Sequence, residues 1–183
     1  MRENARFRDF LTDENIELLF KLAPLHDVGK VGIPDHILLK PGKLTEEEFE
    51  IMKQHALLGG NAIAAAENEI NIRSNFLRIA RQIAVSHHEK WDGSGYPFGL
   101  KGDDIPISAR LMAVADVYDA VSSRRVYKSA VHHNEVVRII EEGSGKHFDP
   151  DIVEAFKRIK QEFASIAEKF CDDLPADMQA SLI

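Results

Sequence analysis

Two adjacent histidines, His87 and His88, sit where a helical pattern ends and a glycine-rich loop begins. The run is Ser86-His87-His88-Glu89-Lys90-Trp91-Asp92-Gly93-Ser94-Gly95-Tyr96-Pro97. Upstream, the apolar residues Phe76, Ile79, Ala80, Ile83 and Ala84 recur at helical spacing. His87 lies four residues after Ile83 and His88 four after Ala84, so both continue the inward edge of that helix. If that edge is buried, two neighbouring imidazoles each need a partner. Buried without partners they are costly, and one shared metal ion satisfies both, since neutral imidazole is a ligand for zinc, iron, manganese and related ions. The alternative is a solvent-exposed pair at a helix end. Local sequence leaves both readings open.

The remaining pattern is helical. Residues 12–27 read as a helix capped by Thr12, with Ile16, Leu19, Leu22, Ala23 and His26 on its inward stripe. Gly32, Pro34, Pro41 and Gly42 mark residues 31–44 as a loop. Thr45 through Glu48 forms a capping box opening a helix to about Ala66, on which Ile51, His55, Leu58 and Ala62 share a face. A polar connector over 67–73 leads to the helix that ends at His88. After the Trp91–Pro106 loop, Ile107 to about Ser122 is apolar on nearly every side, the pattern of a central buried helix with Asp116 in its middle. Helices over 134–142 and from Asp149 to about Phe170 follow, the latter with Pro150 in its first turn. No stretch alternates as a strand does. The expected fold is all-α, with one domain over 1–170 and an acidic tail over 171–183.

Composition narrows the function classes. A net charge of -7 over 183 residues argues against a nucleic-acid polymer or a membrane surface as partner. It leaves room for a small anionic substrate, because bound metal ions reverse the local sign. The single Cys171 rules out an internal disulfide, and no apolar run is long enough to span a bilayer. The expectation is a cytoplasmic protein.

Four of the expected helices place a ligand-type residue on an inward position: His26 with Asp27, His55, His87 with His88, and Asp116. Each alone has a plain structural explanation. His55 alone reads as a hydrogen-bonded core histidine, and Asp116 as a partner for Arg110. Together they call for a shared centre, because each buried without a partner would cost a few kcal/mol, roughly 2–7. A carboxylate such as Asp27 can bridge two ions, and two-metal sites hold them ~3.5–4 Å apart for in-line attack at phosphorus. Nitrogen and oxygen donors without thiolate suit iron, manganese, nickel, cobalt or zinc.

The segments His26-Asp27-x-Gly29-Lys30, His55, His87-His88-Glu89-x-x-Asp92-Gly93-x-Gly95-Tyr96-Pro97 and Asp116 together resemble the HD-GYP subgroup of the HD metal-dependent phosphohydrolases. The resemblance runs from about Leu22 to about Phe156. Response-regulator members look especially similar, in Ser123–Lys128 and Ile105–Arg110. The resemblance implies an HD-domain helical bundle with a glycine-rich GYP loop, and hydrolysis of cyclic di-GMP to pGpG and often onward to GMP. It implies two divalent transition-metal ions, iron or manganese first, with nickel, cobalt or zinc as alternatives. By the same resemblance His26, Asp27, His55, His87, His88 and Asp116 are metal ligands.

The resemblance also places Lys30 against the scissile phosphate, or as proton donor to the leaving oxygen. It places Arg125 and Lys128 on the second phosphate, with Arg124 a solvated charge. Gly95 and Tyr96 would approach the substrate, Tyr96 by stacking on a guanine, and Glu89 would orient a ligand histidine. A second role implied for the loop is docking of a diguanylate cyclase domain, and a receiver domain upstream is implied for a longer protein. His36, His132, His133 and His147 continue no inward stripe and read as solvated loop residues.

One departure stands out. Family members carry a histidine ligand on a helix before the HD motif, and no histidine precedes His26 here. The expectation is that this chain begins after that helix. Three functions compete on the sequence: a cyclic di-GMP phosphodiesterase, a hydrolase of another nucleotide or phosphate ester, and a binding module with little catalysis. The GYP loop argues against the second.

Overall fold

The computed structural model describes residues 1–70, 74–123 and 133–172. Among these residues no strand forms, and the elements are helical: α1 (Ala5–Arg8), α2 (Asp13–Leu22), a 3-10 segment (Ala23–Gly32), α3 (Asp35–Leu38), α4 (Glu46–Ile70), α5 (Asn75–Ser86), a 3-10 turn (Gly102–Asp104), α6 (Ile107–Ser123), α7 (His133–Glu142) and α8 (Pro150–Asp172). The chain divides into two compact units, Met1–Ala113 and Val114–Ile183, with α6 running across the division.

Local chemistry sets the starts of the helices. Thr12 accepts from the Asn15 amide at the head of α2, and Ser74 accepts from the Leu77 amide at the head of α5. The capping box at α4 forms in both directions: the Thr45 amide donates to Glu48 at 2.7 Å and the Glu48 amide donates to Thr45 Oγ1 at 3.2 Å. The expected helix over 12–27 is corrected. α-Helix stops at Leu22, because Pro24 has no amide to donate and its ring crowds the carbonyl four residues back. The chain continues as tighter 3-10 turns, and these carry His26, Asp27 and Lys30. The expected loop over 31–44 also holds the single turn α3.

In the first unit α2, the 3-10 segment, α4 and α5 pack around Leu22, Ile63, Ile79, Ala80, Ile83 and Ala84. The inward face expected for α4 is turned. His55, Ala56, Gly59, Gly60 and Ile63 are buried, while Leu58 and Ala62 are exposed. The cause is a backbone-to-backbone approach. A methyl carbon added to Gly29 would lie 2.0 Å from the His55 carbonyl oxygen and 2.4 Å from the Gly59 nitrogen. Only small residues fit that seam, so the larger Leu58 faces outward. Ile16 and Phe76, also expected inside, lie on the surface.

Near the N-terminus Phe7 is fully buried. The Arg6 and Arg110 guanidinium groups both bond Asp103 Oδ1, at 2.6 and 2.9 Å, and both stand over the Trp91 ring. Arg110 has Asp103 as an ion-pair partner.

In the second unit Tyr118, Val136, Val137, Ile140, Phe148, Ile152, Val153 and Phe156 are buried. His133 is not a solvated loop residue. It opens α7, half-buried, with Nδ1 2.9 Å from the Tyr118 hydroxyl. His147 stacks on Phe148, whereas His36 is exposed as expected. His132 and most of the expected tail lie outside the described residues.

Candidate metal centre

Asp27, His55, His87 and His88 come together in the first unit, each offering a donor atom, all within 4.8 Å of one another. Three different elements supply them: the 3-10 segment, α4, and the C-terminal end of α5. His87 is the C-cap residue of α5, so a side chain at the end of a buried stripe can turn into the loop side without breaking the helix.

The ring orientations follow from the backbone. His55 Nδ1 lies 2.6 Å from the Met52 carbonyl, and His87 Nδ1 lies 3.0 Å from that of Ile83. His26 Nδ1 lies 2.7 Å from the Ala23 carbonyl. A carbonyl only accepts, so the Nδ1 of His55 and of His87 carries the hydrogen and each neutral ring presents its Nε2 lone pair, whereas the His26 ring lies between the Ala23 carbonyl and the Asp27 carboxylate. His88 is placed by rings: Tyr96 stacks on it at 4.7 Å, and His87 lies 4.0 Å away between centroids.

Asp27 divides its two oxygens. Oδ1 faces His55 Nε2 at 3.4 Å and His87 Nε2 at 3.8 Å. Oδ2 faces His26 Nε2 at 3.1 Å and accepts from Lys30 Nζ at 2.6 Å. Burial opposes ionisation of Asp27, but the hydrogen bonds and charges of His26 and Lys30 outweigh it and hold its carboxyl well below the usual carboxylate range. The carboxylate is therefore charged at any physiological pH.

These donors fit a divalent metal. Asp27 Oδ1 and His55 Nε2 are buried and make no hydrogen bond, yet they are 3.4 Å apart. With Nδ1 protonated, both are lone pairs, and two buried lone pairs facing each other repel unless a cation lies between them. A nitrogen and oxygen donor set without thiolate matches the first-row transition metals. Every donating Nδ1 has a backbone carbonyl behind it, an arrangement that fixes ligand histidines in metalloproteins.

The other sequence-derived site residues fall as follows. Gly95 lies against the motif itself, where an added methyl would be 2.3 Å from the Lys90 nitrogen and 2.6 Å from the His88 carbonyl oxygen. Asp116 is half-buried on α6 in the second unit. Arg124, Arg125 and Lys128 lie outside the described residues. Glu89 bonds the loop backbone. Its buried carboxylate accepts from the Phe98 amide at 2.8 Å and the Leu100 amide at 3.0 Å. Sequence reading missed Lys53, whose ammonium stands over both the Phe49 and Tyr96 rings. The available signal was the pairing of Phe49 and Lys53 four apart on one helix, just before His55.

A family model described as the HD domain matches residues 9–152. The chain belongs to the HD-domain family. Within it, the loop ending in Gly95-Tyr96-Pro97 and the relatives place the chain with the HD-GYP type. A cyclic di-GMP phosphodiesterase of Vibrio cholerae is 58% identical over 167 residues, covering 91% of this chain and 34% of that protein. One from Thermotoga maritima is 50% identical over 151 residues, covering 82% and 39%. A 3'3'-cGAMP-specific phosphodiesterase of Vibrio cholerae is 41% identical over 162 residues, covering 88% and 30%. The chain spans about a third of the length of the curated relatives it matches. Among the described residues no helix is long and apolar enough to cross a membrane.

Proposed function

We propose that this chain is a metal-dependent phosphodiesterase that hydrolyses cyclic di-GMP to pGpG, and pGpG onward to GMP, in bacterial second-messenger signalling. The observation that carries the reading is the buried facing pair, Asp27 Oδ1 and His55 Nε2, beside His87 and His88. In the proposal Asp27, His55, His87 and His88 would hold one divalent ion, and Asp27 with His26 would hold a second. Asp27 supports this reading by facing His55 with one oxygen and His26 with the other. The ligand role read for Asp116 belongs to the same proposal and is tested by metal content in Asp116→Asn. Iron or manganese is the proposed metal, with nickel, cobalt and zinc also suited to these donors.

The bound metal supplies electrophilic assistance and charge neutralisation at phosphorus. The chain's own groups do the rest. Asp27, held ionised, offers both oxygens at once. Three imidazoles, their Nδ1 atoms tied to carbonyls, keep Nε2 aimed inward without rearrangement during the reaction. Lys30 is half-exposed and 2.6 Å from Asp27, so its ammonium can turn to a phosphoryl oxygen as negative charge grows there, or give a proton to the departing 3′ oxygen. Water adds to phosphorus, the P–O3′ bond breaks, and the ring opens to a linear dinucleotide. Arg125 and Lys128 are proposed to grip the second phosphate, the Arg through paired N–H groups. Gly95 and Tyr96 are proposed as the loop's contacts to a guanine.

The wider reading has four parts: one HD-GYP domain over 1–170, a cytoplasmic location, a receiver domain upstream in a longer protein, and a diguanylate cyclase domain as partner of the loop. The cGAMP-specific relative favours a second substrate reading, another cyclic dinucleotide. Turnover of cyclic di-GMP, 3'3'-cGAMP and p-nitrophenyl phosphate by manganese-loaded protein tests both. The expected result is chelator-sensitive release of pGpG, fastest from cyclic di-GMP. A fully metal-loaded protein that turns over none of the three would instead establish a binding module.

A further inference from the structure

We propose that Glu89 is a positioning residue for the metal centre: it staples the Trp91–Leu100 loop back onto the histidine motif, and the loop then presses Tyr96 against His88. The inference rests on the metal-centre reading above. Glu89 follows the two histidines directly and is only 2% exposed. An acid so placed next to imidazoles could pair with one of them. Instead both its oxygens reach the far end of the loop, nine and eleven residues on, at the Phe98 and Leu100 amides. Charge-assisted bonds to two separate backbone donors fix a loop end more firmly than neutral ones.

Three further contacts run along the same path. Gly95 lies so close to Lys90, Glu89 and His88 that a methyl group would meet backbone at 2.3–2.6 Å. The Tyr96 amide donates to the His88 carbonyl at 3.2 Å. The Tyr96 ring stacks on His88 with 27° between planes, and Phe49 and Lys53 of α4 close on its other sides. The loop thus forms a strap whose far end is held by Glu89 and whose middle rests on a candidate ligand ring. Loosening the far end frees Tyr96, and freed Tyr96 lets His88 turn.

The test uses three variants, with cobalt(II) and manganese(II) as probes and amide exchange followed by NMR. In Glu89→Gln the amide offers one acceptor where the carboxylate offered two, so one loop bond is lost. Exchange at Phe98 or Leu100 should rise at least tenfold, metal affinity should fall about 10–100-fold, and the visible spectrum of bound cobalt should change. Tyr96→Ala should weaken metal binding in the same way while Phe98 and Leu100 stay protected, and it decides the matter if Glu89→Gln does not fold. Tyr96→Phe, which keeps the ring, should retain wild-type metal affinity. Faster loop exchange in Glu89→Gln with metal affinity and cobalt spectrum unchanged would overturn the positioning role alone. Wild-type protein that binds neither ion would overturn the metal-centre reading with it.

Discussion

Replacing Gly29 with alanine adds one methyl group at the seam between the HD segment and α4. The backbone at Gly29 is one that alanine adopts readily, since it does not lie in the left-handed region. Conformational entropy alone would therefore stabilise the variant by ~0.4–1 kcal/mol. Packing reverses the sign. The new carbon would stand 2.0 Å from the His55 carbonyl oxygen and 2.4 Å from the Gly59 nitrogen, where ordinary contact begins at 3.4 Å. Both obstacles are helix backbone and neither can swing aside, so the 3-10 segment must withdraw from α4 by more than 1 Å. Overpacking costs roughly 1–3 kcal/mol when side chains can adjust. Against backbone the upper end applies, leaving a net loss of about 2–3 kcal/mol and a Tm lower by about 5–10 °C.

The withdrawal also moves Asp27 away from His55, now 3.4 Å apart. Metal sites tolerate ligand distances only within about 0.2 Å, so metal affinity should fall more than tenfold. Gly59→Ala faces the same seam from α4 but meets its nearest atom at 3.2 Å. With the ~1 kcal/mol that alanine gains over glycine inside a helix, it should be close to neutral. Thermal melts and metal titrations of the two variants check the contrast. A Gly29→Ala protein with wild-type Tm and metal affinity would refute the argument that this seam sets the site.

Three more outcomes are expected. His87→Ala and His88→Ala should each lower bound metal in elemental analysis, and unchanged stoichiometry in both would remove them as ligands. Because the folded-state pKa of Asp27 is depressed, its stabilising contribution is complete above the unfolded value of about 4 and is lost as pH falls toward the folded value. The stability gap between wild type and Asp27→Asn, measured by denaturant in chelator, should therefore shrink as pH drops below about 4; a gap independent of pH would contradict the charge state assigned here. Arg125→Ala should raise the Michaelis constant for cyclic di-GMP several-fold and leave metal content alone, whereas loss of metal with normal substrate affinity would show that the side chain serves the metal instead.

The sequence by itself determined the helical class, the caps and the buried histidines. Thr12 and the Thr45–Glu48 pair act within three residues of themselves, so their hydrogen bonds could be read from the order of residues alone. His55 and His87 were legible as inward because a helix repeats its own direction every turn, and both are 1% exposed. The limits are physical as well. Pro24 was present in the sequence, yet the apolar stripe running past it to His26 suggested an unbroken α-helix, whereas its missing amide ends the α-helix at Leu22 and the chain goes on as 3-10 turns.

A helical period also says which residues share a face, never which neighbour that face meets. The Gly29 seam, decided by the other side, put Leu58 and Ala62 outside and Gly59 and Gly60 inside. Glu89 shows the same limit in a loop. With no period to follow, its carboxylate could be assigned from sequence only to the adjacent histidines. The tertiary structure sent it instead to two amides at the loop's far end, which folding brings back against its buried carboxylate.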